Sequence, residues 1–285
     1  MQIKAIASSK FEKLVKNETE LWSIVSNFAN DKNSAKLIKA AEYLIENINP
    51  DDLASKLIND EISDSAKRDL AFALSLSGHN DAENYLIDSL LSLSSIGSKG
   101  DMNTDLQKVR LMVALSGNGQ VSEQGFQTLT ALAENANETE NIRNNALINL
   151  GSTLQQLQNH GQDSAGLSDQ LSSSLSQAME GDNASSAILA AGNAKLGNLD
   201  PQIIEKLTSS NSKERYAAAS VLARNPDYTD KLIQHLSAEP SDLVNYAILT
   251  NLETKHLSSQ QKDTLLDMST RTSPDITKVI EQIIK

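Results

Sequence analysis

Apolar residues along the chain recur in short stretches at helical spacing, and the stretches come in pairs divided by a polar break. The clearest pair spans residues 109–133, VRLMVALSGNGQVSEQGFQTLTALA, with the break at Gly117-Asn118-Gly119. Related pairs lie at 68–93, 143–157, 187–207 and 215–236. Apolar positions three and four apart put one stripe on each helix, so the pattern predicts paired amphipathic helices. Residues 10–30 form the first predicted helix, with Phe11, Leu14, Val15, Leu21, Trp22, Val25 and Phe28 apolar. Its aromatic content suits a terminal unit that covers the open end of a stack, which makes Trp22 a packing residue. A second helix follows over 34–48, then Asn49-Pro50-Asp51-Asp52 ends it and caps a short helix over 53–58.

Within the pairs a smaller pattern repeats: a short polar or acidic residue, an arginine, then alanines and leucines. The arginines are Arg68, Arg110, Arg143 and Arg215, separated by 42, 33 and 72 residues, the last being two units of 36. A copy without arginine lies at 183–192, with Ser186 at that place, and a final copy at 241–252 carries Val244 there. Together with the N-terminal pair this makes about seven helix pairs, at the period of helical-repeat proteins. Ala71, Ala73, Ala114, Ala146, Ala190, Ala191, Ala218 and Ala219 leave room for neighbouring helices to approach. Gly and Asn after the last apolar residue of a helix are expected to supply left-handed C-caps. The arginines are expected to satisfy acids and helix ends of the adjacent unit. Two Ser/Gly-rich stretches, 92–104 and 158–169, read as longer loops.

The series Asp64/Arg68/Ala71/Leu74, Asp105/Arg110/Val113/Leu115 and Glu140/Arg143/Ala146/Leu150 resembles the HEAT-repeat family of α-solenoids, from about Ser34 onward. That resemblance implies an all-α, right-handed superhelix in which Asp and Arg form a ladder and the inner helices line a concave, protein-binding face. It also implies one domain over 1–285: an N-terminal capping helix at 1–33, repeats at 34–258 and capping helices at 259–285. A fainter similarity concerns the closings Leu115-Ser116-Gly117-Asn118, Leu150-Gly151, Ala191-Gly192-Asn193 and Leu196-Gly197-Asn198. They look like turns in the helical domain of vitellogenin-type lipid-transfer proteins, where such a domain braces lipid-holding sheets.

Composition narrows the function classes. Aromatics are 4% of the chain and charged residues 22%, with 5 prolines, which favours helices packed through small aliphatic side chains. The formal charge of −12 makes nucleic acid a poor partner, since a phosphate backbone is repelled and no basic run offers an exception. Cysteine is absent, so thiolate metal sites, disulfides and thiol nucleophiles are excluded. No stretch has the length of a membrane span or the form of a signal peptide, and the chain reads as soluble, with its compartment open.

Motifs with chemistry are incomplete. Gly161-Gln162-Asp163-Ser164-Ala165-Gly166 lacks a glycine two residues before the serine, and no strand precedes it to present a nucleophile. Asp101, Asn103 and Asp105 start like a calcium loop, but Leu106 and Met112 stand where glycine and glutamate are required. A weak cation site there stays open beside helix capping by Asp105. Gly117, Gly119 and Gly125 do not form a dinucleotide fingerprint. His79, His160, His235 and His256 are scattered without metal-ligand spacing. Asn17-Glu18-Thr19, Asn137-Glu138-Thr139 and Asn183-Ala184-Ser185 match the glycosylation sequon, which chance explains in a chain this rich in Asn, Ser and Thr. No catalytic, cofactor-binding or metal-binding residue is therefore assigned. The expected function is a non-enzymatic scaffold that binds another protein through its helical surface. The alternatives are the helical domain of a carrier of lipid or another apolar ligand, and a repeat-type lyase.

Overall fold

A computed structural model describes residues 64–77, 81–96, 101–117, 121–161, 164–252 and 257–284. The expected capping helix over 1–33, including Trp22, and the helices over 34–58 lie outside them. All regular structure among the described residues is helical. The chain divides into two compact units, 1–163 and 164–285. In the first, α1 is Asp64–Ser77, α2 Ala82–Ile96, α3 Met102–Ser116, α4 Glu123–Glu134 and α5 Glu140–Asn159. In the second, α6 is Ala165–Ala178, α7 Ala184–Asn193, α8 Asp200–Lys206 and α9 Ser212–Leu222. They are followed by α10 Thr229–Leu236, α11 Asp242–Leu252, α12 Ser259–Ser269 and α13 Pro274–Ile283.

Short polar residues start many of these helices by accepting a hydrogen bond from a first-turn N–H. Ser122 does so for Gln124, Thr139 for Ile142, Asn211 for Lys213 and Ser273 for Ile276. Ser258 and Gln261 form a full capping box at α12, and Pro274 opens α13 where its missing N–H costs nothing. Helix α3 starts earlier than the sequence suggested. Its N-cap is Asp101, which accepts both the N–H and the hydroxyl of Thr104, while Asp105 lies inside the first turn.

Each unit is built by packing helices on their second neighbours in sequence. In the first, α1 packs on α3 and α3 on α5, while α2 packs on α4. In the second, α7, α9, α11 and α13 follow one another in the same way, and α10 packs on α12. Odd-numbered and even-numbered helices thus form two layers within each unit. The buried core consists mainly of Leu, Ile and Ala side chains, and all eight alanines singled out above are buried. A small residue at these places brings backbones together, so burial is gained through close approach rather than through large side chains.

Three expectations are corrected. The left-handed positions fall outside the named closings: the described residues with positive φ are Gly161, just past the end of α5, and Lys195, just past the end of α7, at 68° and 55°. Gly117 ends α3 in right-handed geometry, Gly151 is buried inside α5, and Gly192 lies inside α7. Glycine at the latter position answers close packing, because a Cβ on Gly192 would stand 2.5 Å from Val221 Cγ2 and 2.8 Å from its Cγ1. Second, Leu150-Gly151 closes nothing, since α5 runs through it to Asn159. Third, both long loops are mostly helix: α2 reaches Ile96, α5 reaches Asn159, and α6 begins at Ala165. Serine-rich composition misled here because Leu90 and Leu93 are buried at helical spacing in α2, and Leu171 and Leu175 in α6. Anchored apolar spacing overrides weak propensity.

Candidate functional site

The register of the repeats is set by a buried pair of side chains on each odd helix from α1 to α11. The pairs are Leu70-Ala71, Leu111-Met112, Ala146-Leu147, Ala187-Ile188, Ala218-Ala219 and Ile248-Leu249. Three residues before them stand Lys67, Lys108, Arg143, Ala184, Arg215 and Asn245. This column holds the polar contacts that tie a helix to neighbouring turns. Lys108 Nζ donates to both carboxylate oxygens of Glu138, at 2.9 and 2.7 Å, with both side chains buried. Glu138 lies in the turn before α5. Arg215 makes the corresponding link in the second unit, donating from Nε and Nη2 to Glu239 at 2.9 Å each. Glu239 lies just before α11 and also accepts from the Ser241 N–H, and its Oε2 lies 2.9 Å from His235 Nε2. Burial raises the cost of that charge, but the bonds from Arg215, Ser241 and His235 outweigh it and hold the carboxyl below the usual range.

Other members of the column bind backbone. Arg143 donates to the Glu138 carbonyl at 2.6 Å, Arg215 to the Ser209 carbonyl at 2.9 Å, and Asn245 to the Glu239 carbonyl at 3.3 Å. Two of the four expected arginines are therefore displaced from the column. Arg68 is exposed and Arg110 half-buried, one and two residues past Lys67 and Lys108. Likewise Ala184 and Asn245, rather than Ser186 and Val244, occupy the equivalent places. Aligning the copies on the buried pair, instead of on arginine, would have found Lys108.

The remaining sequence motifs come apart. Asp101 caps α3, and its bonds from the Thr104 hydroxyl and N–H hold its carboxyl below the ordinary range. Asp105 accepts from the Thr139 hydroxyl at 2.8 Å, and Asn103 is exposed. Ser164 precedes α6 without a side-chain cap, and His160 ends α5 with Nδ1 2.8 Å from the Gln156 carbonyl. His235 faces Glu239, while His79 and His256 lie outside the described residues. Among the described residues no three His, Cys, Asp or Glu side chains are grouped so as to hold a metal ion. No described helix is long and apolar enough to cross a membrane.

What the structure does concentrate is exposed apolar surface on the odd helices. Of nine large hydrophobic side chains exposed among the described residues, seven lie there: Phe72, Met102, Leu106, Val113, Tyr216, Leu243 and Tyr246. Among these, Leu91 and Leu266 lie on even helices, so within each unit the odd helices carry most of this surface. Phe72 and Val113 occupy the same repeat position, directly after the buried pair. Tyr216 and Tyr246 share another, directly after Arg215 and Asn245. In the second unit a cleft of about 170 Å³ opens on this layer. Ala217 lines it together with Leu189, Tyr216 and Leu243, and Ser185 and Lys213 add polar groups. Sequence reasoning passed over these residues because it read every apolar position as core. Their signal was an apolar residue falling outside the buried stripe of its own helix.

No protein-family model matches the chain, and no curated protein sequence matches it.

Proposed function

We propose that this chain is a non-enzymatic interaction scaffold: a right-handed, HEAT-like α-solenoid of about seven antiparallel helix pairs whose odd helices present the binding surface to another protein. Second-neighbour packing in both units supports the repeat architecture, since a single helix pair cannot bury its apolar stripe alone. The observation that carries the function is the segregation of exposed Phe, Tyr, Leu and Val side chains onto one layer. Scattered apolar residues are ordinary on a surface, whereas their collection on the odd helices within a unit favours an interaction site.

The test is affinity capture from a lysate of the source organism, comparing the native chain with F72S/V113S and Y216S/Y246S variants. A protein retained by the native chain and lost from either variant supports the reading. Capture that is identical for all three, or an empty capture, refutes it. The cleft on α7, α9 and α11, at about 170 Å³, is itself smaller than the roughly 300–1,000 Å³ of small-molecule sites.

A further inference from the structure

The cleft on α7, α9 and α11 combines a small apolar recess with one uncommitted cation. Ala217 contributes only a methyl group between Leu189, Tyr216 and Leu243, which is why a recess exists at all. Its volume matches one apolar side chain better than a small molecule. The other charged side chains of α9 have hydrogen-bond partners of their own. Arg215 is paired with Glu239, and Glu214 accepts from the Ser209 hydroxyl and the Asn211 amide. The Lys213 ammonium, exposed on the cleft wall, has no hydrogen-bond or ion-pair partner among the described residues. An unpaired ammonium beside an apolar recess complements a carboxylate close in sequence to an apolar residue.

We propose that this cleft binds an acidic peptide segment of a partner protein, seating one apolar side chain over Ala217 and one carboxylate on Lys213. The proposal rests on the scaffold reading and assigns a partner chemistry to one part of its surface. A second copy of the chain fits less well, because two molecules each bearing a charge of −12 repel over their whole surfaces. A short segment seated in the cleft meets Lys213, the one charged side chain among the residues lining it.

The experiment is selection of random linear peptides on the full chain, followed by fluorescence anisotropy with fluorescein-labelled selected peptides. Selected sequences should carry an apolar residue within one helical turn of an Asp or Glu. Binding should weaken about tenfold in K213E, where attraction becomes repulsion, and comparably in L243S. F72S, in the other unit, should bind normally. A peptide with its acid changed to lysine should recover affinity for K213E. Lys213 and Leu243 are exposed, so the variants should keep native helical circular dichroism. Peptides that bind but ignore K213E and L243S overturn the cleft assignment while supporting the wider scaffold reading. Failure to enrich any peptide, or self-association abolished by L243S, overturns the assignment as well.

Discussion

Gly192→Ala separates close packing from helix propensity, because the two push stability in opposite directions. In the interior of an isolated helix the substitution stabilises by about 0.8–1 kcal/mol. In this chain the added Cβ would stand 2.5, 2.8 and 3.1 Å from Cγ2, Cγ1 and Cβ of Val221 on α9. Val221 cannot swing aside, since it is buried and a β-branched side chain has one strongly preferred rotamer in a helix. Helices α7 and α9 must therefore separate, and overpacking of this kind costs about 1–3 kcal/mol. With all three side-chain carbons of Val221 involved, the upper end applies, leaving a net loss of about 2 kcal/mol. Urea and thermal unfolding followed by far-UV circular dichroism should show it, with a fall in Tm of about 4–8 °C. Val221→Ala alone loses two buried methyl groups, about 1.5 kcal/mol, yet in its presence the new methyl at 192 has room. The double variant should thus be more stable than the sum of the single losses by at least about 1 kcal/mol. A stabilised G192A, or strict additivity with V221A, would refute the close-packing account.

Four further outcomes are expected. Gly125→Ala places a Cβ 2.4 Å from Glu83 Oε1, which accepts the Ser122 N–H at 2.8 Å, so it should destabilise by about 1–3 kcal/mol, part of it recovered in an E83A background. In urea unfolding, E138Q should cost about 3–5 kcal/mol by stranding the buried Lys108 ammonium, whereas the apolar pair K108M/E138L should cost far less. Glu239 has a carboxyl pKa depressed in the folded state, so its contribution is present above the unfolded value and is lost as pH falls through the folded one. The stability difference between the native chain and E239Q should therefore be full at neutral pH and shrink below about pH 4, as read from urea midpoints across pH. Small-angle scattering should show an elongated particle if the repeats stack end to end, and a compact profile would count against the solenoid proposal.

How much of this was legible depends on which signal each feature leaves. Helical spacing and alanine positions were readable because burial acts on every turn: the predicted alanines are all buried and the helices fall where apolar periodicity is strong. Helix ends were read less well. Ser and Gly suggested loops at 92–104 and 158–169, yet a serine inside a helix can return its hydroxyl to the preceding turn, as Ser89 does to the Tyr85 carbonyl at 2.7 Å. Glycine misled for a related reason. The same residue type serves a left-handed cap or a close approach, and sequence does not distinguish them until the neighbour across the interface, such as Val221, is known. The polar column was half visible, since arginine is conspicuous and lysine is not, although Lys108 occupies the column that Arg110 narrowly misses.

The surface features were harder to see than the core for a physical reason. Burial is cooperative along a helix and leaves a periodic trace, whereas an exposed tyrosine or leucine is visible only as a departure from that trace. The departure at Tyr216 and Tyr246 becomes meaningful once both are known to follow the same column on neighbouring helices. Polar residues on that column are already committed to turns, and the buried pair after it is committed to the layer beneath. Tyr216, Leu243 and Tyr246 instead leave 36%, 63% and 52% of their surface exposed. Exposing them forgoes burial, at about 25 cal/mol for each Å² left in water. Three of them stand on two packed helices, beside the Lys213 ammonium, and under the proposed scaffold function a partner would recover that loss there.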